Sequence, residues 1–395
     1  MWKRILAEKL TWLLDRFPCV CILGARQVGK TTLARMALPD APHVDLESAS
    51  VRDRAELSPE SFLDRGRSPL VLDEIQLLPS LMQAIKVAID KAPDGNGRFV
   101  ILGSASPFLL RQAAETLAGR VGFLDLDGVV FRECKTADPG LDLEESWVRG
   151  GYPRAAKEAD AEARLVWLDA YVRTFIERDL PRMGIGVRPS LMHRFMMMIA
   201  HGHGGVWNAS RFAAAAGVSY HTMNRYLMAL EAAFLVRILW PFHANVGKRF
   251  VKSPKVYLRD SGLYHYLMNL KSREEIESSP YCGQSWEGFC LEQIIRQGQA
   301  ERLPPKYWFY RTQAGLEADL IVEGRAGRTA VEIKFGSRME KRTIKNLHQV
   351  MVDTGCARGT VVYSGLDSYQ VDDGVRVLSA MDRGFPEDVL APWAK

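Results

Sequence analysis

Residues 24 to 31 read G-A-R-Q-V-G-K-T, the pattern of a phosphate-binding loop. The glycines let consecutive backbone N–H groups turn toward phosphate oxygens, and the positive end of the following helix strengthens that attraction. We expect Lys30 to reach the β- and γ-phosphates of a nucleoside triphosphate, and Thr31 to place its hydroxyl on Mg²⁺. The residues predicted to bind the nucleotide are Gly24, Ala25, Arg26, Gln27, Val28, Gly29, Lys30, Thr31 and Thr32.

An acidic pair, Asp73 and Glu74, directly follows the apolar run P-L-V-L at 69–72. We expect Asp73 to hold Mg²⁺ directly or through water, and Glu74 to orient and deprotonate the water that attacks the γ-phosphate. Acidic pairs after strands are common on protein surfaces. The phosphate-binding loop upstream is what makes this pair a candidate for catalysis.

A sheet must bring these groups together. Apolar runs at 20–23, 70–72 and 99–102 are typical of buried strands, and helical patterns alternate with them. This alternation predicts an α/β fold whose parallel sheet binds ligands at the carboxyl ends of its strands. Ser104 follows the third run and would sense the γ-phosphate there, with a simple strand-ending turn as the alternative.

Arg120, in the segment L-A-G-R, is the candidate arginine finger that reaches the γ-phosphate bound by a neighbouring subunit. Arg111 competes for that role, and ordinary surface positions are the alternative for both. The finger interpretation implies a homo-oligomer. The predicted catalytic set is therefore Lys30, Glu74, Ser104 and Arg120.

The composition limits the class of protein. The 395 residues are 47% hydrophobic and 25% charged, as in a globular protein of roughly two or three domains. No run reaches the ~18 apolar residues of a membrane span, and the first residues lack a secretion pattern, so we expect a cytoplasmic protein. Six cysteines without a C-x-x-C pair suggest neither zinc nor a disulfide framework. The net charge of +5 is too small to indicate a nucleic-acid partner by itself.

The motifs together resemble the AAA-type ATPases of bacteria and archaea. The matching segments are G-A-R-Q-V-G-K-T-T-L, V-L-D-E-I-Q, I-L-G-S-A-S, L-A-G-R, Y-V-R-T-F-I-E-R-D-L, K-V-Y-L-R-D-S-G-L and G-L-E-A-D-L-I-V. The resemblance implies ATP as the nucleotide, an ATPase core over 1–145 and a small helical lid over 146–200. It also makes Arg178 a candidate second sensor of the γ-phosphate, with a surface salt bridge to Glu177 or Asp179 as the alternative.

Residues 208–233 have the spacing of a helix-turn-helix, and 201–270 is predicted to be a winged helix-turn-helix domain. Asn208 or Ser210 caps a helix through Ala216, and a second helix spans 220–232. Alternating apolar residues at 234–239 then predict the first strand of a wing. The predicted DNA contacts are His221, Thr222, Arg225, Lys248, Arg249, Lys252 and Lys255. Docking of a protein partner is the alternative, since winged helices also serve that purpose.

The last region, 271–395, has the predicted element order α-β-β-β-α-β and resembles the PD-(D/E)xK nuclease core, a restriction-endonuclease-like α/β domain. Asp319 and Glu332 on adjacent strands would share one Mg²⁺, and Lys334 would polarise the attacking water. Glu287 on the first helix would complete the acidic set. Ala318 replaces the proline usual in this motif, so a non-cleaving or nucleic-acid-sensing domain is the favoured interpretation.

Together these patterns predict an oligomeric, Mg²⁺-dependent ATPase that remodels DNA or moves along it, with branched or structured DNA as one possible substrate. Two alternatives stay open. One is an ATP-regulated endonuclease that uses the C-terminal carboxylates. The other is a nucleotide-dependent switch that binds a protein partner.

Overall fold

The first part of the chain is built around one parallel sheet. The computed structural model describes residues 2–64, 69–92, 94–104, 115–243 and 251–391. The strands are β1 (Cys19–Gly24), β2 (His43–Asp45), β3 (Leu70–Asp73), β4 (Phe99–Ser104) and β5 (Val121–Asp125), in the order β2-β3-β4-β1-β5. The helices are α1 (Ala7–Leu14), α2 (Lys30–Ala37), α3 (Ala49–Leu57), α4 (Pro59–Leu63) and α5 (Leu81–Asp90), with a 3₁₀ turn at Ile75–Leu77.

All neighbouring strands of this sheet run parallel, which confirms the predicted α/β core. Every residue of β1 is buried because helices cover both faces of the sheet, as the uninterrupted apolar run predicts. Gly24 pairs with Ser104 in register, and β3 ends at Asp73 at the same edge. The register therefore collects the predicted nucleotide residues at the carboxyl edge.

A helical region follows the sheet. It contains α6 (Phe131–Ala137), α7 (Leu143–Arg149), α8 (Pro153–Lys157), α9 (Ala161–Thr174), a π-helical turn (Phe175–Asp179), α10 (Leu180–Arg182) and α11 (Pro189–His201). Tyr171 and Phe175 are buried, and the rings of Trp167 and Tyr171 stack at 5.5 Å, so α9 and the turn after it share one apolar face. Within the described ranges, no helix has the length and apolarity needed to cross a membrane.

Two helices joined by a short turn come next, α12 (Ala209–Ala216) and α13 (Tyr220–Ala232). The Asn208 side chain caps α12, and Ser219 caps α13. Gly217 makes the turn at φ 68°, a left-handed conformation that suits glycine. Strands β6 (Val236–Leu239) and β7 (Lys255–Leu258) then pair antiparallel as a hairpin.

The C-terminal part holds a six-stranded mixed sheet in the order β12-β13-β11-β10-β9-β8. Its strands are β8 (Lys306–Arg311), β9 (Glu317–Gly324), β10 (Gly327–Lys334), β11 (Arg358–Tyr363), β12 (Tyr369–Gln370) and β13 (Val375–Ser379). The accompanying helices are α14 (Ser261–Leu267), α15 (Arg273–Ser278), α16 (Cys282–Gln299), α17 (Lys341–Thr354) and α18 (Glu387–Leu390). From α16 to β11 the element order is the predicted α-β-β-β-α-β.

The hairpin is attached to the edge of this C-terminal sheet. The Phe309 N–H donates to the Trp240 carbonyl at 3.1 Å, and the Phe242 N–H donates back to Phe309 at 2.6 Å. On the returning side, the Val251 N–H donates to Arg311 at 3.2 Å. All four residues of β7 are buried. The hairpin is therefore packed between the helix pair and the C-terminal sheet.

Candidate nucleotide site

The phosphate-binding loop has backbone conformations that few residues adopt. Gly29 has φ 95° and Gln27 has φ 62°, both in the left-handed region. A Cβ on Gly24 would lie 2.1 Å from the Leu126 carbonyl oxygen, so only glycine fits where the loop leaves β1. Ala25 and Val28 are buried, whereas Thr32 is exposed in the first turn of α2. The loop is thus fixed by local backbone constraints.

Thr31 and Asp73 meet at the carboxyl edge of the sheet. The Thr31 hydroxyl, in the first turn of α2, donates to Oδ2 of Asp73 at 2.5 Å, although β4 lies between β3 and the strand that precedes α2. Oδ1 of Asp73 accepts the Glu74 backbone N–H at 2.9 Å. A hydroxyl and a carboxylate are the oxygen donors that Mg²⁺ prefers, so this pair fits the ion predicted there.

Glu74 starts a sharp turn beside this pair. Its backbone is left-handed at φ 55°, which aims the residue away from the line of β3. The Gln76 side chain donates a hydrogen bond to the Glu74 carboxylate. Glu74 is therefore held at the nucleotide edge in a defined orientation.

Lys30 is folded back onto the loop. Its side chain is 7% exposed, and Nζ donates to the carbonyls of Gly24 at 3.0 Å and Ala25 at 2.9 Å. Burial lowers the pKa of Lys30 to about 8, although Glu74 and Asp73 oppose that shift. Among the described residues, the hydrogen-bond acceptors of this buried ammonium are neutral carbonyls, which suits it to bind an incoming phosphate.

Two ion pairs connect the helical region to the nucleotide edge. Nε of Arg26 lies 3.1 Å from Oδ2 of Asp179, and Nη2 of Arg178 lies 3.3 Å from Oε1 of Glu47. Burial raises the pKa of Asp179, and Arg26 works against this rise. Arg178 thus forms a surface ion pair with Glu47, which follows β2, and its charge also acts on the neighbouring Asp179. The pairing of Asp179 with the loop was not predicted.

Ser104 lies at the edge of the sheet where the parallel strands end, whereas Arg120 lies at the edge where they begin. The backbone of Ser104 ends β4 beside Gly24, while its side chain and all of Arg111 lie outside the described residues. Arg120 precedes β5, its carbonyl accepts the Cys19 N–H, and Nε lies 2.7 Å from Asp90. One strand length, roughly 16 Å for five residues, separates Arg120 from the nucleotide edge. Arg120 is therefore remote from the loop of its own chain.

A buried arginine that sequence reasoning missed lies behind the loop. Arg4 donates to the Val28 carbonyl at 2.8 Å and to the Asp127 carbonyl at 2.7 Å, and its Nε donates to Glu133 at 3.1 Å. The Asp127 side chain in turn pairs with Arg259 at 2.9 Å. Nothing in the local pattern around Arg4 signals these contacts, since all the partners are distant along the chain.

The predicted DNA contacts divide into three groups. His221 and Arg225 are exposed on α13, Thr222 is partly exposed, and Lys252 is exposed shortly before β7. Lys248 and Arg249 lie outside the described residues. The prediction that Lys255 contacts DNA is wrong, because this residue is 2% exposed and its ammonium is buried inside the protein. The run of basic residues was wrongly taken as one exposed tip.

Lys255 instead lies among carboxylates of the C-terminal part. Its Nζ is 2.6 Å from Glu317, 3.2 Å from Glu287 and 3.4 Å from Asp319. The Tyr257 hydroxyl donates to Glu287 at 2.6 Å. We call these five residues the lysine-centred cluster. A lysine ammonium therefore contacts Asp319 and Glu287, two of the carboxylates that the nuclease interpretation assigns to the metal site.

Glu332 and Lys334 form a separate pair at the border of the cluster, with 2.6 Å between Oε1 and Nζ. Oδ2 of Asp319 accepts the Ile333 N–H at 2.9 Å, which holds that carboxylate against β10. Burial and the Asp319 charge raise the pKa of both Glu287 and Glu332. Across the described residues, no group of three or more acidic, histidine or cysteine side chains is arranged to hold a metal ion.

The parallel sheet, the loop after β1 and the Thr31–Asp73 pair define a P-loop protein of the AAA type. The family described as "AAA domain" matches residues 16–135 of this sequence. Two families described as "Domain of unknown function", DUF8612 and DUF4143, match residues 140–274 and 282–382.

Two curated relatives are uncharacterized proteins of Mycobacterium bovis and Mycobacterium tuberculosis. Each is 36% identical over 393 residues, which covers 98% of this chain and 87% of the relative. The chain belongs to the same family as these proteins, a family whose N-terminal part is an AAA-type P-loop ATPase domain. A solved Walker-type ATPase of Pyrococcus abyssi has the same fold over 68% of this chain and 96% of its own length, at 15% identity and a TM-score of 0.50.

Proposed function

We propose that this chain binds and hydrolyses ATP with Mg²⁺, and that a homo-oligomer of it uses hydrolysis to remodel DNA or move along it. The contact between the Thr31 hydroxyl and Asp73 carries the proposal. It brings the two predicted magnesium ligands together at the edge where Lys30 and Glu74 also lie. The AAA family match supports the same conclusion for the first part of the chain.

Each residue of the site has a role in the proposed reaction. Lys30 exchanges its carbonyl acceptors for β- and γ-phosphate oxygens, and Thr31 and Asp73 hold the ion. Magnesium, when bound, neutralises phosphate charge. Glu74 orients the attacking water and accepts its proton, and Ser104 contacts the γ-phosphate from the end of β4. Arg178 acts as the second sensor from the lid, because its pair with Glu47 already holds it at this edge.

The position of Arg120 supports an oligomer. An arginine at the amino edge of β5 cannot reach the loop of its own chain, but it can reach the γ-phosphate of a neighbour packed against that edge. Arg120 would then leave Asp90 for the phosphate. A finger supplied by another subunit makes hydrolysis depend on assembly.

For DNA contact we propose the helix pair with its hairpin as a winged helix-turn-helix. His221, Thr222 and Arg225 occupy the first turns of α13, where recognition helices meet bases or phosphates, and Lys252 adds charge nearby. The domain limits we propose are 1–145, 146–200, 201–270 and 271–395. The C-terminal domain would contact nucleic acid without cutting it.

The lysine-centred cluster is the observation against cleavage. The Lys255 ammonium, which contacts Glu287 and Asp319, would repel a Mg²⁺ ion bound to Asp319, and metal-dependent hydrolysis needs that ion. An ATP-regulated endonuclease is therefore the weaker interpretation of this domain.

A nucleotide-dependent switch that binds a protein partner is the second candidate. Tyr220 and Met228 are 51% and 55% exposed on α13, so this helix also offers apolar side chains to a protein partner. The face that would bind DNA could in this way bind a protein instead.

The deciding assay measures ATP hydrolysis alone and with single-stranded, duplex or branched DNA. The proposal predicts turnover that rises with DNA, falls with salt and is lost in Lys30→Ala and Glu74→Gln. Slow turnover that every DNA leaves unchanged, together with a protein partner retained only in one nucleotide state, would favour the switch. Mg²⁺-dependent nicking that Lys334→Ala abolishes would favour the endonuclease.

A further inference from the structure

Arg4 is joined to three separate parts of the protein by one planar group. Its guanidinium donates to the Val28 carbonyl in the phosphate-binding loop, to the Asp127 carbonyl after β5 and to the Glu133 carboxylate in α6. Only arginine offers several donors in one rigid plane, so lysine cannot serve all three acceptors at once. The side chain is 7% exposed, which keeps water from competing for these bonds.

The anchoring side of this contact is rigid. Oε1 of Glu133 also accepts the Ile5 N–H at 2.7 Å, and Oε2 accepts the Val130 N–H at 3.0 Å. Asp127 is itself held by Arg259 at 2.9 Å and Arg237 at 3.5 Å. Arg4 therefore links the loop to a fixed part of the core.

The contact with Val28 sets the direction of one peptide group. A trans peptide is planar, so the N–H of Gly29 points opposite to the carbonyl of Val28. That carbonyl is bound by Arg4 at 2.8 Å behind the loop, and the Gly29 N–H therefore points away from Arg4, into the loop. Gly29 holds φ 95°, which glycine adopts about as readily as negative φ, so the Arg4 contact adds a restraint to the local backbone constraints of the loop.

We propose that Arg4 is a positioning residue for the β-phosphate: it holds the Gly29 N–H in the donating direction before the nucleotide arrives. The inference rests on the proposed ATP binding and adds a residue to that site. It concerns the diphosphate portion of the nucleotide only. Nucleosides and monophosphates that do not reach this peptide are unaffected by Arg4.

The test measures ADP and AMP binding to the full chain by calorimetry, for wild type and the Arg4→Lys variant. Lysine keeps the charge beside Glu133 but loses the fork. We expect ADP affinity to fall about tenfold, the usual effect of one lost charge-assisted hydrogen bond, while AMP affinity stays the same. The matched control is Arg164→Lys, because Arg164 is 5% exposed and bonds a carbonyl of Glu158, away from the loop.

Unchanged ADP affinity in Arg4→Lys would overturn the inference, as would an equal loss for AMP, since both would reduce Arg4 to a general structural role. If Arg4→Lys does not fold, Glu133→Gln carries the test, because it weakens the anchor and leaves Arg4 present. The same selective loss for ADP is expected there, and unchanged affinity would refute the role. Wild type that binds neither ADP nor ATP would instead refute the proposed function itself.

Discussion

Replacing Lys255 with methionine removes the positive charge of the lysine-centred cluster while keeping most of the side-chain volume. Glu287 and Asp319 would then lose the ammonium that contacts both of them, while Glu317 would keep its pair with Arg311 at 3.1 Å. We expect three consequences: lower stability, a stronger dependence of stability on pH, and a new affinity for divalent ions.

The magnitude follows from the distances. At separations of 2.6 to 3.4 Å and an effective dielectric constant of about 20, each ion pair has roughly 5 kcal/mol of Coulomb attraction. The desolvation of a buried lysine cancels much of this sum. Removing one partner of a buried pair typically costs about 3–5 kcal/mol, and we expect the lower end because protonation of a carboxylate relieves part of the repulsion.

The dependence on pH has a definite sign. Burial and Asp319 raise the pKa of Glu287 to about 7, while Lys255 opposes the rise, so the variant raises this pKa further. The pKa of this carboxyl is higher in the folded protein than in the unfolded chain. In acid the group is protonated in both states and costs no stability, whereas the free energy of unfolding falls as pH rises through the folded pKa. The deficit of Lys255→Met should therefore be small in mild acid and grow from about neutral pH upward.

The assay compares urea unfolding of wild type and Lys255→Met at mildly acidic and mildly alkaline pH, with and without Mn²⁺. The matched control is Lys252→Met, an exposed lysine of the same segment, which should change stability by less than about 0.5 kcal/mol. Mn²⁺ should stabilise Lys255→Met and leave wild type unchanged. Equal stability of the variant and wild type at alkaline pH would refute the reasoning, and so would Mn²⁺ stabilisation of wild type.

Three other changes test other parts of the account. Arg120→Ala should keep ATP affinity yet lose about 10³ in turnover; mixing it with Lys30→Ala should restore activity if the finger acts between subunits, and failure to restore it would contradict that role. Asp127→Asn removes the carboxylate that pairs with Arg259 at 2.9 Å, while Arg237 keeps its pair with Glu292, and should lower the free energy of unfolding by about 3 kcal/mol. Although burial opposes ionisation, these arginines hold the pKa of Asp127 well below its usual range, so wild type loses this stability as pH falls and the two proteins should converge in acid. Arg225→Ala should weaken DNA binding and lower the salt slope by about one, measured by fluorescence anisotropy, whereas the exposed Lys91→Ala should leave both unchanged.

Local signals predicted much of this fold. The second helix of the helix pair begins and ends at the predicted residues, Tyr220 and Ala232, because Ser219 caps it and Gly217 makes the turn before it. The phosphate-binding loop was equally predictable, since its glycines, its lysine and its flanking strand and helix are contiguous. The sequence also predicted that Thr31 and Asp73 share one Mg²⁺ site at the carboxyl edge of the sheet, and the two side chains are in contact there at 2.5 Å.

Contacts between distant segments were not predictable in this way. Lys255 belongs to a run of basic residues, and only the packing of β7 against α16 and β9 shows that its charge is buried. Arg4 has no motif around it, and its role depends on Val28, Asp127 and Glu133 meeting in space. Lys255 pairs with buried carboxylates, and Arg4 donates to buried carbonyls. Contacts between such distant residues produce no periodic pattern in the sequence from which they could be predicted.

The most direct measurement is calorimetric titration of the folded protein with ATP and Mg²⁺, beside the Asp73→Asn and Lys30→Ala variants. The account predicts that wild type binds ATP, that Asp73→Asn loses the dependence on Mg²⁺, and that Lys30→Ala loses binding. Wild type that releases no heat with ATP or GTP and shows no shift in melting temperature with either would contradict it.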